Sequence, residues 1–437
     1  MQMLRRPWLW VLTLAVVLSM AAVACGDEEE EAGETPTGET PAVDVTPGPG
    51  VTDTEIKLGH TNDLAGSGGT PYGVLTPAMN AYFSKVNDED GGVCGRDITL
   101  MAEDDQYAPG LALEKSKKLV EQDKVLAIVG SLGTAAHLGA VDYLNDPNGD
   151  GDTSDGIPDL FVSTGYSAWG DYEKWPWTFG YIPDYASDGQ ILATYINENF
   201  PDQKVGILYQ NDPFGQDYLN SMKDNLADAS LLVSEQTYEP GAPDLSAQVI
   251  NIQDAGAEVV VLGAVPTASA AAIISANAQG YNPQWLVSYV NAHTSLASSI
   301  GGGTEPEQLA EGFALLDGTI SNNYQLDAVG NADDPAMVEH ARIMDTFGGP
   351  SLSTLSVYGQ SLAELTVEAL SGACDNLTRE GLLQSVESIQ DFHPSVFVPG
   401  INVSFSATDH RAIEALQPTR IEADGTLTAV GDLISLE

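Results

Sequence analysis

From Glu55 onward, short apolar runs alternate with stretches whose apolar residues fall three or four apart. The runs are EIKLGH (55–60), DITLMAED (97–104), VLAIVG (125–130), DLFVST (159–164), VGILYQ (205–210), EVVVLGA (258–264) and QWLVSYV (284–290). Each is short enough for a strand, and the central ones are apolar throughout, the mark of strands buried on both faces of a parallel sheet. Between them, GLALEKSKKLVEQ sets Leu111, Leu119 and Val120 among Lys and Glu at helical spacing. DGQILATYINENF, FGQDYLNSMKDNL and ASAAAIISANAQG follow the same rule. Alternating strands and helices predict an α/β fold with right-handed crossovers. The units are too many for one small sheet, so the pattern predicts two α/β lobes.

The pattern breaks at the start of the chain. Arg5 and Arg6 precede an apolar run, Trp8–Met20, too short for a comfortable membrane span. AAVACG follows, with Cys25 behind small residues. This resembles a bacterial lipoprotein signal: residues 1–24 are the signal peptide, and Cys25 carries the lipid. An ordinary cleaved secretory signal is the other reading, and both imply export by the general secretory route. Residues 25–53 are acidic and rich in Pro, Gly and Thr, which predicts a disordered tether.

Charge narrows the partners. The chain has 63 acidic residues against 16 Lys and Arg, a formal net charge of −47. Such a surface repels nucleic acid and anionic lipid, so neither is a partner of the folded part. Cys94 and Cys374 remain beside Cys25. In an oxidising compartment they suggest a disulfide, with two free buried thiols as the alternative.

Candidate chemistry is sparse. GSLGTAAH (130–137) follows a strand and opens a helix, an arrangement that suits an anion, but no lysine is present to reach phosphates. NDLAGSGGTPYG (62–73) has Pro71 where a dinucleotide loop needs its third glycine. GYSAWG (165–170) has Trp169 where a nucleophile elbow needs glycine. The six histidines form no recognised triad or zinc motif. No enzyme is predicted. DPNGDGDTSDGIPD (146–159) offers candidate calcium ligands in Asp146, Asn148, Asp150, Asp152 and Asp155, with Gly151 at the turn and Asp155 or Asp159 closing the shell. A solvated acidic loop is the alternative. Tyr72, Tyr166, Trp169, Phe214, Tyr289 and Tyr358 gather after strands, where α/β proteins bind ligands.

The order of these features resembles the periplasmic binding proteins of the branched-chain amino acid type, the receptors of ATP-driven importers. IKLGHTNDLAGSGGTPYG is similar to that family's first strand and ligand loop. The run from KVNDEDGGVCGRDITLMAEDD to LAIVGS is the most specific part. VGILYQNDPFGQDYLNSMKDNL resembles the opening of the second lobe, and SFSATDHR the closing turn. The resemblance implies a type I fold of two Rossmann-like lobes with parallel sheets, joined by a three-crossing hinge that closes on ligand. It sets the first lobe at 54–180 plus 315–397 and the second at 181–314 plus 398–437, with crossings near Tyr181, Leu315 and Val398.

It also implies a monomer without a required cofactor that binds an amino acid, an amide or an aliphatic or aromatic carboxylate for an ABC permease. A sensory receptor for a signalling partner and an exported enzyme on the same fold are the alternatives. Carried onto this chain, the site places Thr134 on the ligand carboxylate, with backbone N–H groups of the Leu132–Ala135 turn, Gly133 included. Ser167 stands where a threonine touches carboxylate and ammonium, and the carbonyl of Gly165 or Tyr166 takes the ammonium. Tyr72 and Trp169 wall the first lobe, and Phe214 the second. Amino-acid binders carry an acid where this chain has Tyr289, with Asn291 two residues on. A buried ammonium without a counter-charge costs several kcal/mol, so either Tyr289 is not the counterpart of that acid or the ligand is not a plain α-amino acid; the aromatic residues suit a carboxylate with an apolar or ring-bearing body.

Overall fold

The computed structural model describes residues 46–66, 70–242, 244–291 and 293–436. The lipidation site Cys25, the signal peptide and most of the expected tether lie outside the described residues. No helix among the described residues is long and apolar enough to cross a membrane.

Five parallel strands form the first sheet. They are β1 (Glu55–Asn62), β2 (Asp97–Asp104), β3 (Ala127–Val129), β4 (Asp159–Val162) and β5 (Thr178–Gly180), in the order β2-β1-β3-β4-β5. β3 and β4 are buried along their whole length, which is why their sequences show no polar alternation.

The second sheet is built on β6 (Val205–Gln210), β7 (Leu232–Tyr238), β8 (Val259–Gly263) and β9 (Gln284–Val287), all parallel. β10 (Ile320–Asn323) joins parallel to β9, and β11 (Ala415–Ile421) pairs antiparallel with β10. β12 (Leu427–Ala429) and β13 (Ile434–Ser435) both pair antiparallel with β11.

Helices cover the sheets. In the first lobe, Leu75–Lys85 packs on the long helix Thr354–Gly372. Gly359 permits the approach, since a Cβ there would stand 2.6 Å from that of Ala78. Fourteen of that helix's nineteen residues are buried, so it runs through the lobe instead of over it. Helix Pro213–Asn225 of the second lobe starts with Pro213 at its first position and Asp212 accepting the Gly215 N–H, a standard N-cap.

Two expected crossings are corrected by strand pairing. The first lies between β5 and helix Tyr185–Asn199, beside Tyr181. The second was expected at Leu315, but β10 belongs to the second sheet, so the chain returns only at Tyr324–Gln325. The third was expected at Val398. Residues 398–414 instead stay with the first lobe: Phe405 packs on Phe161 and Phe179, and the Gly180 N–H donates to the His410 carbonyl. That crossing therefore lies at Glu414–Ala415. Cys94 and Cys374 are joined in a disulfide, and both belong to the first lobe.

Candidate functional site

β3 ends at Val129, and the chain turns through Gly130 and Gly133, both with positive φ, into the short helix Thr134–Leu138. Gly133 is required here twice over. Its φ is 92°, and a side chain would run into the Tyr107 ring. This turn forms one wall of a cavity between the lobes, a space of about 660 Å³ including its open mouth.

From the first lobe, Tyr72, Tyr107, Leu132, Ser163, Leu355 and Tyr358 line it. Phe214, Val265, Tyr289 and Val290 line it from the second. Ile182, Tyr185 and the Asn323–Gln325 segment close it along the hinge. The carboxyl ends of the strands supply most of these positions, the usual binding edge of an open α/β sheet.

Three sets of hydrogen bonds bring the lobes together around the cavity. The Tyr72 hydroxyl donates to the Val290 carbonyl at 3.3 Å. Gln210 donates its amide to the Tyr107 hydroxyl at 3.3 Å. At the rim, the Ser167 N–H and hydroxyl donate to the two oxygens of Asp217 at 3.0 and 3.1 Å. Tyr289 is fixed by its phenol, which donates to the Pro183 carbonyl, and it stacks near Tyr185 and Tyr324.

No Asp, Glu, Lys, Arg or His is among the described residues that line it. The six lining tyrosines stay protonated: burial, first of all, pushes the Tyr185 phenol up to about 12 and raises the other five well above their ordinary value. The nearby carboxylates are spoken for. Asp188 accepts from Tyr218 and from the Asn322 amide at 2.6 Å, and Asp212 accepts from Gln210 and Gly215. The cavity is thus uncharged, mostly aromatic, and polar at a few points.

Of the residues singled out from the sequence, Tyr72, Leu132, Gly133, Phe214, Tyr289 and Tyr358 line the cavity, Tyr358 from the helix Thr354–Gly372 and not from a strand end. Six others stand behind or beside it. Thr134 is buried, with its hydroxyl against that of Thr164. The Gly165 carbonyl accepts the Tyr185 N–H, and that of Tyr166 accepts the Trp169 N–H, so both are already used. Ser167 turns outward to Asp217. Trp169 is buried in a separate cluster, edge-on to His137 and Tyr166 and against Trp175. Asn291 donates to the carbonyls of Ala264 and Ser288.

The lining residues missed in the sequence had weak signals. Tyr107 follows β2 and could have been found by the strand-end rule. Tyr324 and Gln325 follow β10, whose sequence ISNN hides the strand.

The acidic loop folds on its own backbone. Asp146 accepts the N–H groups of Gly149, Asp150 and Gly151, Asp150 accepts that of Asp152, and Asp152 that of Ser154. Asn148 donates to Asp155. These side chains bond the backbone and each other instead of converging, and no group of three or more His, Cys, Asp or Glu is placed to hold a metal among the described residues.

A family model described as periplasmic binding protein matches residues 55–426. An amino acid binding protein of Pseudomonas aeruginosa is 23% identical over 245 residues, 52% of this chain and 62% of its own length, which is less than two thirds of that relative. Leu/Ile/Val-binding protein homolog 2 of Brucella abortus is 25% identical over 296 residues, 67% of this chain and 73% of its own. Among solved structures, a branched chain amino acid ABC transporter protein from Thermus thermophilus with bound valine superposes with a TM-score of 0.73 at 18% identity, over 88% of this chain and 97% of its own. A fatty acid ABC transporter substrate-binding protein from Thermomonospora curvata reaches 0.68 at 24% identity, over 90% and 95%. At these identities the superpositions establish the fold alone. With two α/β lobes, a cleft lined from both and a family match over most of its length, the chain belongs to the periplasmic binding protein family, a family of extracytoplasmic solute binders and not of enzymes.

Proposed function

We propose that the chain is the solute receptor of an ABC importer, and that its solute is a small carboxylic acid with an apolar or ring-bearing body and no ammonium group. The observation that carries this reading is that no Asp, Glu, Lys, Arg or His is among the described residues lining a mostly aromatic cavity. An α-amino acid would bring an ammonium that finds no carboxylate there, at a cost of several kcal/mol. A carboxylate needs only donors, charged or not. The Ser163 and Tyr358 hydroxyls are buried in the cavity wall and find no hydrogen-bond partner there. The turn at Gly133 adds helix-start N–H groups nearby.

Calorimetry with matched pairs tests this: isocaproate against leucine, and hydrocinnamate against phenylalanine. The acids are expected to bind at least about tenfold more tightly than the amino acids that differ only by the ammonium, a difference of about 1.4 kcal/mol. Tight leucine or valine binding, which the names of several relatives would suggest, overturns the reading.

The receptor acts as a monomer held at the membrane by lipid on Cys25. A Cys25→Ser variant is expected to move from the membrane fraction to the soluble one. The acidic loop Asp146–Asp159 is read as self-sufficient. Added calcium or chelator is expected to leave the melting temperature unchanged, whereas a calcium-dependent rise would make it a metal site.

A further inference from the structure

Among the described residues, three buried side-chain polar atoms without an outside partner belong to the cavity lining: Ser163 Oγ, Tyr358 Oη and Gln325 Nε2. The first two belong to the first lobe. Gln325 stands on a different segment, the hinge crossing that follows β10. Its backbone is fully committed. The Gln325 carbonyl accepts the Asn323 amide at 2.6 Å, its N–H donates to the Asn323 carbonyl oxygen of the side chain at 3.2 Å, and it bridges Phe397. Its side chain is only 2% exposed and borders the cavity, yet its amide donor bonds nothing. A buried amide left unpaired costs stability that an apolar side chain of the same size would not. Tyr324 and Phe397 already pack edge-to-face beside it, so a methionine or leucine would be the natural occupant if packing were its only task.

We infer that Gln325 is a specificity-determining residue that hydrogen-bonds a second oxygen of the solute, a hydroxyl or carbonyl apart from its carboxylate. This rests on the carboxylate reading above and narrows it to oxygenated carboxylic acids. An amide both donates and accepts, so it can satisfy a hydroxyl in either sense. A solute lacking that oxygen would leave the amide unpaired and bind more weakly.

The probes are phenylacetate and its ortho, meta and para hydroxyl derivatives, measured by calorimetry on the native protein and on Gln325→Met. One isomer is expected to bind the native protein about tenfold more tightly than phenylacetate, for one hydrogen bond that the plain acid cannot make. Gln325→Met is expected to erase that difference, so that phenylacetate and its hydroxyl derivatives bind the variant alike. If no isomer gains over phenylacetate, or the gain survives in Gln325→Met, the inference is overturned. Should Gln325→Met fail to fold, Gln325→Asn, which withdraws the amide by one methylene, is read against the same two outcomes. If none of the acids binds, the carboxylate reading falls by itself. The same comparison on phenylacetamide and its hydroxyl derivatives then decides Gln325, with no hydroxyl gain overturning it.

Discussion

Ser163 and Tyr358 line the cavity with buried hydroxyls that find no hydrogen-bond partner. Such groups lower stability for the sake of binding. Ser163→Ala is therefore expected to leave the ligand-free melting temperature unchanged or higher, and to weaken acid binding by about 1–2 kcal/mol. Calorimetry and thermal melts on one preparation check both signs together. Tyr289 behaves oppositely. Its phenol serves the Pro183 carbonyl at the hinge, so Tyr289→Phe orphans a buried acceptor. A stability loss of about 1–3 kcal/mol is expected in denaturant unfolding, with or without ligand. At this scale the sequence was informative about type and weak about direction. The aromatic residues after strands were visible, but nothing local reveals that Trp169 turns into its own cluster or that Ser167 turns out to Asp217. Side-chain direction depends on neighbours distant in the chain, and periodicity carries no trace of them.

Helix Pro213–Asn225 and the turn Ser167–Gly170 meet across the rim through the Ser167–Asp217 hydrogen bonds. These exist only while the lobes touch, so they bias the hinge toward closure. Asp217→Ala is expected to lower ligand affinity by about 1 kcal/mol with little change in ligand-free stability, since a half-exposed contact is weakened by water. Small-angle scattering should show a smaller ligand-induced contraction in the variant. Elements buried on both faces, such as β3, β4, β6 and β8, were legible as apolar runs. β7 alternates at a sheet edge, β10 reads ISNN, and β11 contains Pro418, so each lacks the run that marks a central strand. Missing β10 and β11 is also why two crossings were set too early.

Across the whole molecule, acid outweighs base so far that proton uptake should favour the folded state. Burial, the largest influence in each case, raises Asp105, Asp188 and Asp217 from 3.8 to about 6. In the unfolded chain they return toward 3.8, so between these values the folded form holds protons that the unfolded form has released. The penalty for burying them ionised is complete above about pH 6 and is relieved as pH falls toward about 4. Burial opposes the shift at Asp327, but His293 and two backbone N–H groups hold that carboxyl below its ordinary value, so its protonation lies beneath this window. Burial also lowers His60 from 6.5 to about 4 and lowers His340 and His410, so below about pH 6.5 the unfolded chain takes up protons that these folded imidazoles refuse. The two burial effects oppose each other, and the relief of self-repulsion is expected to raise the melting temperature only slightly as pH falls from about 7 to about 5. Added salt should raise it further by screening a net charge of −47. A melting temperature that falls steeply over this pH range would contradict this balance.

The Cys94–Cys374 link spans 280 positions and returns to the lobe it left. An exported chain emerges N-terminus first, so one thiol crosses the membrane long before its partner. The strands β6 to β10 of the other lobe, contiguous in sequence, come out in between and can pair without waiting. The N-terminal lobe must idle as an incomplete half until the last quarter of the polypeptide arrives. Its early cysteine is exposed to wrong oxidation during secretion, and correct maturation depends on emergence outpacing the oxidant.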